Sequence, residues 1–215
     1  MIQYNCIKIR CISVGTYFYV YKIVRKGEKH MKKGFSIFLT LCIVITGLTG
    51  FTFSVSAAPE LIDGHYVITS AEEFVEIASS INTDTSNSPY QTAELWITQN
   101  IALPSDYKPI GASTSNAAFK GKLLGMDETG QPKDIIITVS ISSNESYVGL
   151  FRNLNNATIK NIVVEGSITA TKTGNANTTA GGLAGSMSSG TLENCVNRAS
   201  VTGVNSVGGL VGKSS

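Results

Sequence analysis

The segments GLFRNLNNATIKNIV at residues 149–163 and GLAGSMSSGTLENCV at 182–196 decide the reading of this chain. Laid one over the other, they stay in step for longer than either opening motif lasts. With Gly149 and Gly182 as origins, Leu150 matches Leu183, Thr158 matches Thr191, Ile159 matches Leu192 and Asn161 matches Asn194. The step continues at Ile162 and Cys195, at Val163 and Val196, and at Ile168 and Val201. A third origin, Gly209, comes after a shorter interval than the one between Gly149 and Gly182, and is followed by Leu210, Val211 and Gly212. The extra length of the first interval must therefore lie beyond Ile168, where Thr171–Thr178 supplies a polar loop.

A repeat of this length cannot bury its own apolar face and must stack on its neighbours, as the coils of a solenoid do. Each coil adds about 4.8 Å through backbone hydrogen bonds, and equal offsets become vertical neighbours. Leu150, Leu183 and Leu210 then form one inward column and Ile159 and Leu192 another, while Asn161 and Asn194 are placed to make an amide ladder. Two charged columns test the register independently of the residues that set it. Lys160 falls over Glu193 and Glu165 over Arg198, both opposite in sign, whereas like charges would have opposed the stacking. Gly149, Gly182, Gly185, Gly209 and Gly212 read as turn and close-approach positions.

Upstream, YVITSAEEFVEIASSI at 66–81 carries a Ser70–Glu73 capping box ahead of Phe74, Ile77, Ala78 and Ile81 at helical spacing, which predicts one helix over about 70–81. Residues 93–101 have the aromatic and β-branched content of a strand. Residues 58–118 are thus expected to form an N-terminal cap and 119–215 the repeats. The chain ends at Ser215 inside a third unit, which is expected to leave an apolar coil end uncapped, as in a truncated product.

Met31-Lys32-Lys33, the apolar run Phe35–Phe53 and the small residues before Ala57 have the order of a secretory signal peptide over 31–57. Cleavage is expected between Ala57 and Ala58, since a cut one residue later would place Pro59 after the scissile bond. Residues 1–30 have no role in such a signal, and Met31 is the expected true start. Of 17 Lys and Arg, eight precede residue 58, against the single acid Glu28, so 58–215 holds nine bases and 14 acids. That acidic balance offers no footprint for nucleic acid. Three of the four cysteines also precede residue 58, which leaves Cys195 without an internal disulfide partner.

GGLAG…GTLENC at 181–195 and GGLVG at 208–212 resemble the GLUG-motif repeats of bacterial secreted and surface proteins. YVGLFRNLNNATIKNIVVEGSI is similar to the opening unit of such arrays, and YVITSAEEFVEIA, YKPIG and FKGKL to the segment that precedes them. The resemblance spans about 65–215. It implies an all-β, right-handed parallel β-helix, export, and surface adhesion or scaffolding; such repeats also form the non-catalytic part of some immunoglobulin A metallopeptidases. Arg152 departs from the motif, standing where its second glycine belongs.

No catalytic, cofactor or metal site is expected. His30 and His65 are the only histidines, so HExxH is absent. Glu165 and Glu193 lie in different columns, each facing a base, and Cys195 reads as a small buried hydrophobe. Calcium binding stays open, because loop carboxylates and carbonyls can serve without a motif. The expectation is a secreted, non-enzymatic adhesin or scaffold on the surface of a Gram-positive bacterium. Its partners would be an extracellular protein or glycan and further repeats of a longer chain, with membrane contact only through an uncleaved signal peptide. The alternative is the exported front of a larger peptidase or polysaccharide-degrading enzyme.

Overall fold

The computed structural model describes residues 3–10 and 17–24 as backbone, and 58–84, 87–111, 117–173 and 178–215 with their side chains. The predicted signal peptide, Ala57 included, lies outside the described residues. The chain divides into two units, Met1–Ser56 and Ala57–Ser215. In the first, β1 (Gln3–Arg10) pairs antiparallel with β2 (Tyr17–Val24).

The second unit is a parallel β-solenoid of about five turns, with one helix near its N-terminal end. After β3 (Glu60–Ile62) and β4 (His65–Ile68), the chain forms α1 (Ala71–Thr83) and then β5 (Glu94–Ile97) and β6 (Ile101–Ala102). The next coil contributes β7 (Lys122–Gly125), β8 (Ile135–Ser143) and β9 (Tyr147–Val148). The one after it has β10 (Phe151–Lys160), β11 (Ile162–Ala170) and β12 (Thr179–Gly181). The last strands are β13 (Ala184–Glu193), β14 (Val196–Asn197), β15 (Ser200–Thr202), β16 (Ser206–Gly208) and β17 (Val211–Ser214). Three sheets result. The first runs β17-β13-β10-β7-β5-β4-β3, the second β14-β11-β8-β6 with β15 also on β11, and the third β16-β12-β9.

The helix forms where its capping residues place it. Ser70 Oγ accepts from the Glu73 amide at 3.3 Å, while the Glu73 carboxylate accepts from the amide and hydroxyl of Thr69 at 2.6 and 3.0 Å. The capping box therefore closes one residue earlier than its usual form. Phe74, Ile77, Ala78 and Ile81 make the buried stripe.

The register between the two central coils is the one that equal offsets demand. Thr158 pairs with Thr191, Ile159 with Leu192, Lys160 with Glu193, Val163 with Val196 and Ile168 with Val201. The same offset still holds where Thr169 meets Thr202, and it has shortened where Thr179 meets Ser206, so the extra length does lie in 170–178. Leu95, Leu123, Ile159 and Leu192 form one continuous inward column across four strands. In β8 strict alternation buries Ile135, Ile137, Val139 and Ile141. Strand β10 instead buries Phe151, Leu154, Ala157 and Ile159. The broken alternation is accommodated by Asn156 at φ +54°, with Ser189 at φ +61° stacked beside it in β13, a local kink repeated in two coils.

Three expectations change. Parallel pairing begins at β4 with β5, inside the segment assigned to a cap, so the helix interrupts an early coil instead of preceding the stack. The predicted strand over 93–101 is two strands on different sheets, with Thr98–Asn100 turning the corner. At the glycine motif Val148 pairs with Ala180 but Phe151 with Ala184, so the later coil takes one more residue to pass the same corner. Gly149 therefore lies against the Gly181 carbonyl while the next residue, Leu150, bonds to the Gly182 carbonyl, the doubled glycine absorbing the additional residue.

Burial of a residue such as Ile159, which is fully enclosed, contributes about 1.5–3 kcal/mol. Replacement of Ile159 by Asp should unfold the protein by burying an unpaired carboxylate. Lys160→Asp, one residue along and facing out, should cost about 1 kcal/mol or less. Thermal melting of the two variants measures the difference, and equal tolerance would be incompatible with this register.

Candidate functional site

Two places combine polar chemistry with a defined position in the stack: the corner between the first two sheets, and a groove beside α1. The corner is built by asparagine. Asn161 and Asn194 have φ of +58° and +51°, a left-handed conformation that asparagine tolerates better than other residues with a side chain. Asn194 Nδ2 donates to Asn161 Oδ1 at 3.2 Å, and Asn161 Nδ2 donates to the Gly125 carbonyl at 3.2 Å. The expected ladder thus has two rungs, ending on backbone where Gly125 holds the equivalent corner. A side chain at Gly125 would collide with the carbonyls of Asn161 and Lys133.

Carboxylates beside this corner are matched to bases in an adjoining coil. Lys160 Nζ lies 2.6 Å from Glu193 and Arg198 Nη1 3.1 Å from Glu165. Farther along the first sheet, Glu94 accepts from Lys122 Nζ and Trp96 Nε1, both at 2.8 Å, and His65 stacks on Trp96 at 3.6 Å between centroids. The hydrogen bonds from Lys122 and Trp96 hold the Glu94 carboxyl below its ordinary range. Asp127 is also lowered, by the amide of Gln131 and the hydroxyl and amide of Thr129 around its carboxylate. Among the described residues no group of three or more His, Cys, Asp and Glu could hold a metal ion.

The motif residues separate into two kinds. Leu150 and Leu183 are fully buried, whereas Leu210, in the last coil, is half-buried. Gly149, Gly182, Gly185 and Gly212 each have backbone or side-chain atoms within 3 Å of where a Cβ would stand. None of them has a positive φ, so close approach and not turn geometry requires them. Gly209 faces open space, and the tight position there is its neighbour Gly208. Cys195 departs from the expected full burial: it is half-buried, its Sγ 3.4 Å from the carbonyls of Ile159 and Glu193, and burial pushes its thiol pKa up. It borders an open concavity of about 410 Å³ with Asp134, Leu192, Asn194, Val196 and Leu210.

The groove lies between the C-terminal half of α1 and the turn at 104–109, with a volume of about 390 Å³. Asn82 ties the two walls, its amide donating to the Pro109 carbonyl at 3.1 Å and its Oδ1 accepting from the Gly111 amide at 2.8 Å. Tyr107 is buried and donates to the Leu150 carbonyl at 2.9 Å; burial raises its pKa far above the ordinary phenol value. Arg152 enters from β10, with its side chain 18% exposed. Glu145 approaches its Nη2 only to 3.6 Å, and its buried Nε has no hydrogen-bond partner among the described residues.

Arg152 was visible in the sequence as a departure from the motif, but its reason is spatial. Gly185 packs against Tyr147 and Val148 of β9, and Gly212 against Ala180 of β12. The third sheet starts at β9. At the level of Arg152 the segment that would precede β9 is the 104–109 turn, which forms no strand, so a long side chain has room.

Comparison with protein-family models, curated proteins and solved structures gives no match. No described helix is long and apolar enough to cross a membrane.

The corner and its flanking charges can each be tested by substitution. Asn161→Gly keeps the left-handed backbone but removes the amide bonds, and should cost about 1–2 kcal/mol. Asn161→Ala should cost about 1 kcal/mol more, for the strained φ; chemical denaturation separates them. Because the folded pKa of Glu94 is depressed, its stabilisation is present above the ordinary carboxylate range and lost as pH falls through the lowered value. Glu94→Gln should therefore melt slightly lower than the parent at neutral pH, by about 1 kcal/mol or less given its exposure, and the gap should close in strong acid.

Proposed function

We propose that this chain is an exported, non-enzymatic bacterial surface protein of the GLUG-repeat kind, an adhesin or scaffold whose solenoid presents ligand-binding surface. The observation that carries this reading is the use of its carboxylates. Glu165 and Glu193, the acids on neighbouring coils where a solenoid hydrolase or lyase would gather its catalytic pair, are each held by a base of the adjoining coil at 3.1 and 2.6 Å. They stabilise the stack and do not converge on a common point, as paired acid and base groups must. The second compact unit begins at Ala57, next to the proposed cleavage point, which accords with removal of what precedes it.

Expression of the gene from Met1 in a Gram-positive host tests both halves. The exported product should begin at Ala58 by mass spectrometry, and should neither cleave polysaccharides nor hydrolyse peptides. Recovery of an uncleaved cytoplasmic chain would refute export. Saccharide cleavage abolished by Glu165→Gln or Glu193→Gln would refute the non-enzymatic reading.

A further inference from the structure

We propose that the groove beside α1 binds one carboxylated sugar unit, with Arg152 receiving its carboxylate. The site deepens the adhesive reading above and rests on it for its biological setting. Its chemistry rests on three observations. First, Arg152 occupies a position where the next two coils have glycine, and it does so at a level where the third sheet has no described strand. Second, its guanidinium is underused: the nearest carboxylate oxygen, on Glu145, is at 3.6 Å, and the buried Nε has no partner among the described residues. Buried donors are ordinarily satisfied, and a guanidinium offers a planar fork matched to a carboxylate. Third, the groove's volume of about 390 Å³ is within the range of small-molecule sites, about 300–1,000 Å³.

The rest of the lining selects among carboxylates. Val75, Ala78 and Tyr107 offer an apolar wall for the C–H face of a sugar ring, and Ser79 and Thr83 offer hydroxyls. Asn82 is committed to Pro109 and Gly111, so it shapes the groove without contributing a free amide. Lys108 adds a second cation, while Asp106 in the lining and Glu145 beside Arg152 bring the local charge back towards balance. A singly charged ligand fits that balance better than a phosphate or a sulfated polymer.

The test is titration of the full chain with galacturonate and with N-acetylneuraminate, followed by calorimetry and by amide chemical shifts, with galactose and acetate as controls. At least one acidic sugar should bind and shift the amides of Val75, Asn82 and Tyr107. Galactose and acetate should each bind at least about tenfold more weakly, the factor that about 1.4 kcal/mol represents. Arg152→Gln should weaken binding about tenfold or more, as loss of a charge-assisted pair requires. Lys108→Gln, on an exposed turn, should weaken it by a smaller factor without lowering the melting temperature; it decides the matter if Arg152→Gln does not fold. The proposal fails if neither acidic sugar binds, if acetate binds as tightly (a bare anion site), if galactose does, or if the folded variants bind like the parent. A chain that binds no acidic sugar yet is exported and uncleaving would overturn this site alone and leave the surface-protein reading standing.

Discussion

Everything else in this structure depends on the parallel backbone ladder that holds each residue of one coil directly beside its counterpart in the next, from Thr158 beside Thr191 to Ile168 beside Val201. A ladder of that kind is indifferent to side chains, and its hydrogen bonds alone would permit slippage by a residue or two. The register is made unique by what each column would contain if it slipped. A shift of one would carry Ile159 and Leu192 outward and bring Lys160 and Glu193 into the interior. It would also move the asparagines off the corner, where a left-handed residue with a short amide is needed. The amide bond from Asn194 to Asn161 therefore acts as a register pin more than as a source of stability, since one such bond contributes only about 1 kcal/mol.

The charged columns act in the same sense. Lys160 with Glu193 and Arg198 with Glu165 are largely exposed pairs, and such pairs contribute about 0–1 kcal/mol. Reversing the sign of any one of these residues would put like charges at neighbouring-strand distance on its side of the corner. The stack gains specificity from them at little energetic consequence. The same arithmetic leaves their carboxylates committed to the scaffold, whereas Arg152 meets Glu145 only at 3.6 Å and keeps a buried Nε with no partner among the described residues.

Much of the fold was legible because it obeys local or periodic rules. The helix was readable from Ser70 and Glu73 and its apolar stripe, and the central register from matched offsets. What was not legible arises where a coil departs from its neighbours. Leu124 pairs with Lys160 and Ile135 with Ile162, so the whole passage from Leu124 to Ile135 corresponds to the single corner Asn161 of the next coil. The surplus leaves the stack in a turn organised by Asp127. Equal offsets do not extend through a coil that carries such an excursion, so the sequence offers no sign that β4 and β5, within the expected cap, already belong to the stack. The doubled glycine at 181–182 escaped for a related reason. Either glycine can be aligned with Gly149, and only the change of pairing from Val148–Ala180 to Phe151–Ala184 across the corner shows that both are used.

Departures of this kind also explain where a solenoid can acquire a site. Within the regular coils every inward or corner position is fixed by the residue stacked on it, and Gly185 and Gly212 cannot become larger without displacing the backbone of β9 or β12. The constraint lapses where a stacking partner is missing. At the first turn of the third face no strand precedes β9, the helix and the 104–109 turn take the place of one, and the motif glycine is replaced by an arginine whose guanidinium the scaffold leaves only partly used. A long cationic side chain at that position gives the regular stack nothing that glycine does not, because its backbone amide already bonds to the Ile110 carbonyl at 2.8 Å. What the arginine adds is chemistry directed at the groove. The same loss of periodicity that hides this region from a repeat search thus frees it to vary, and it is the place in the chain where composition answers to something other than stacking.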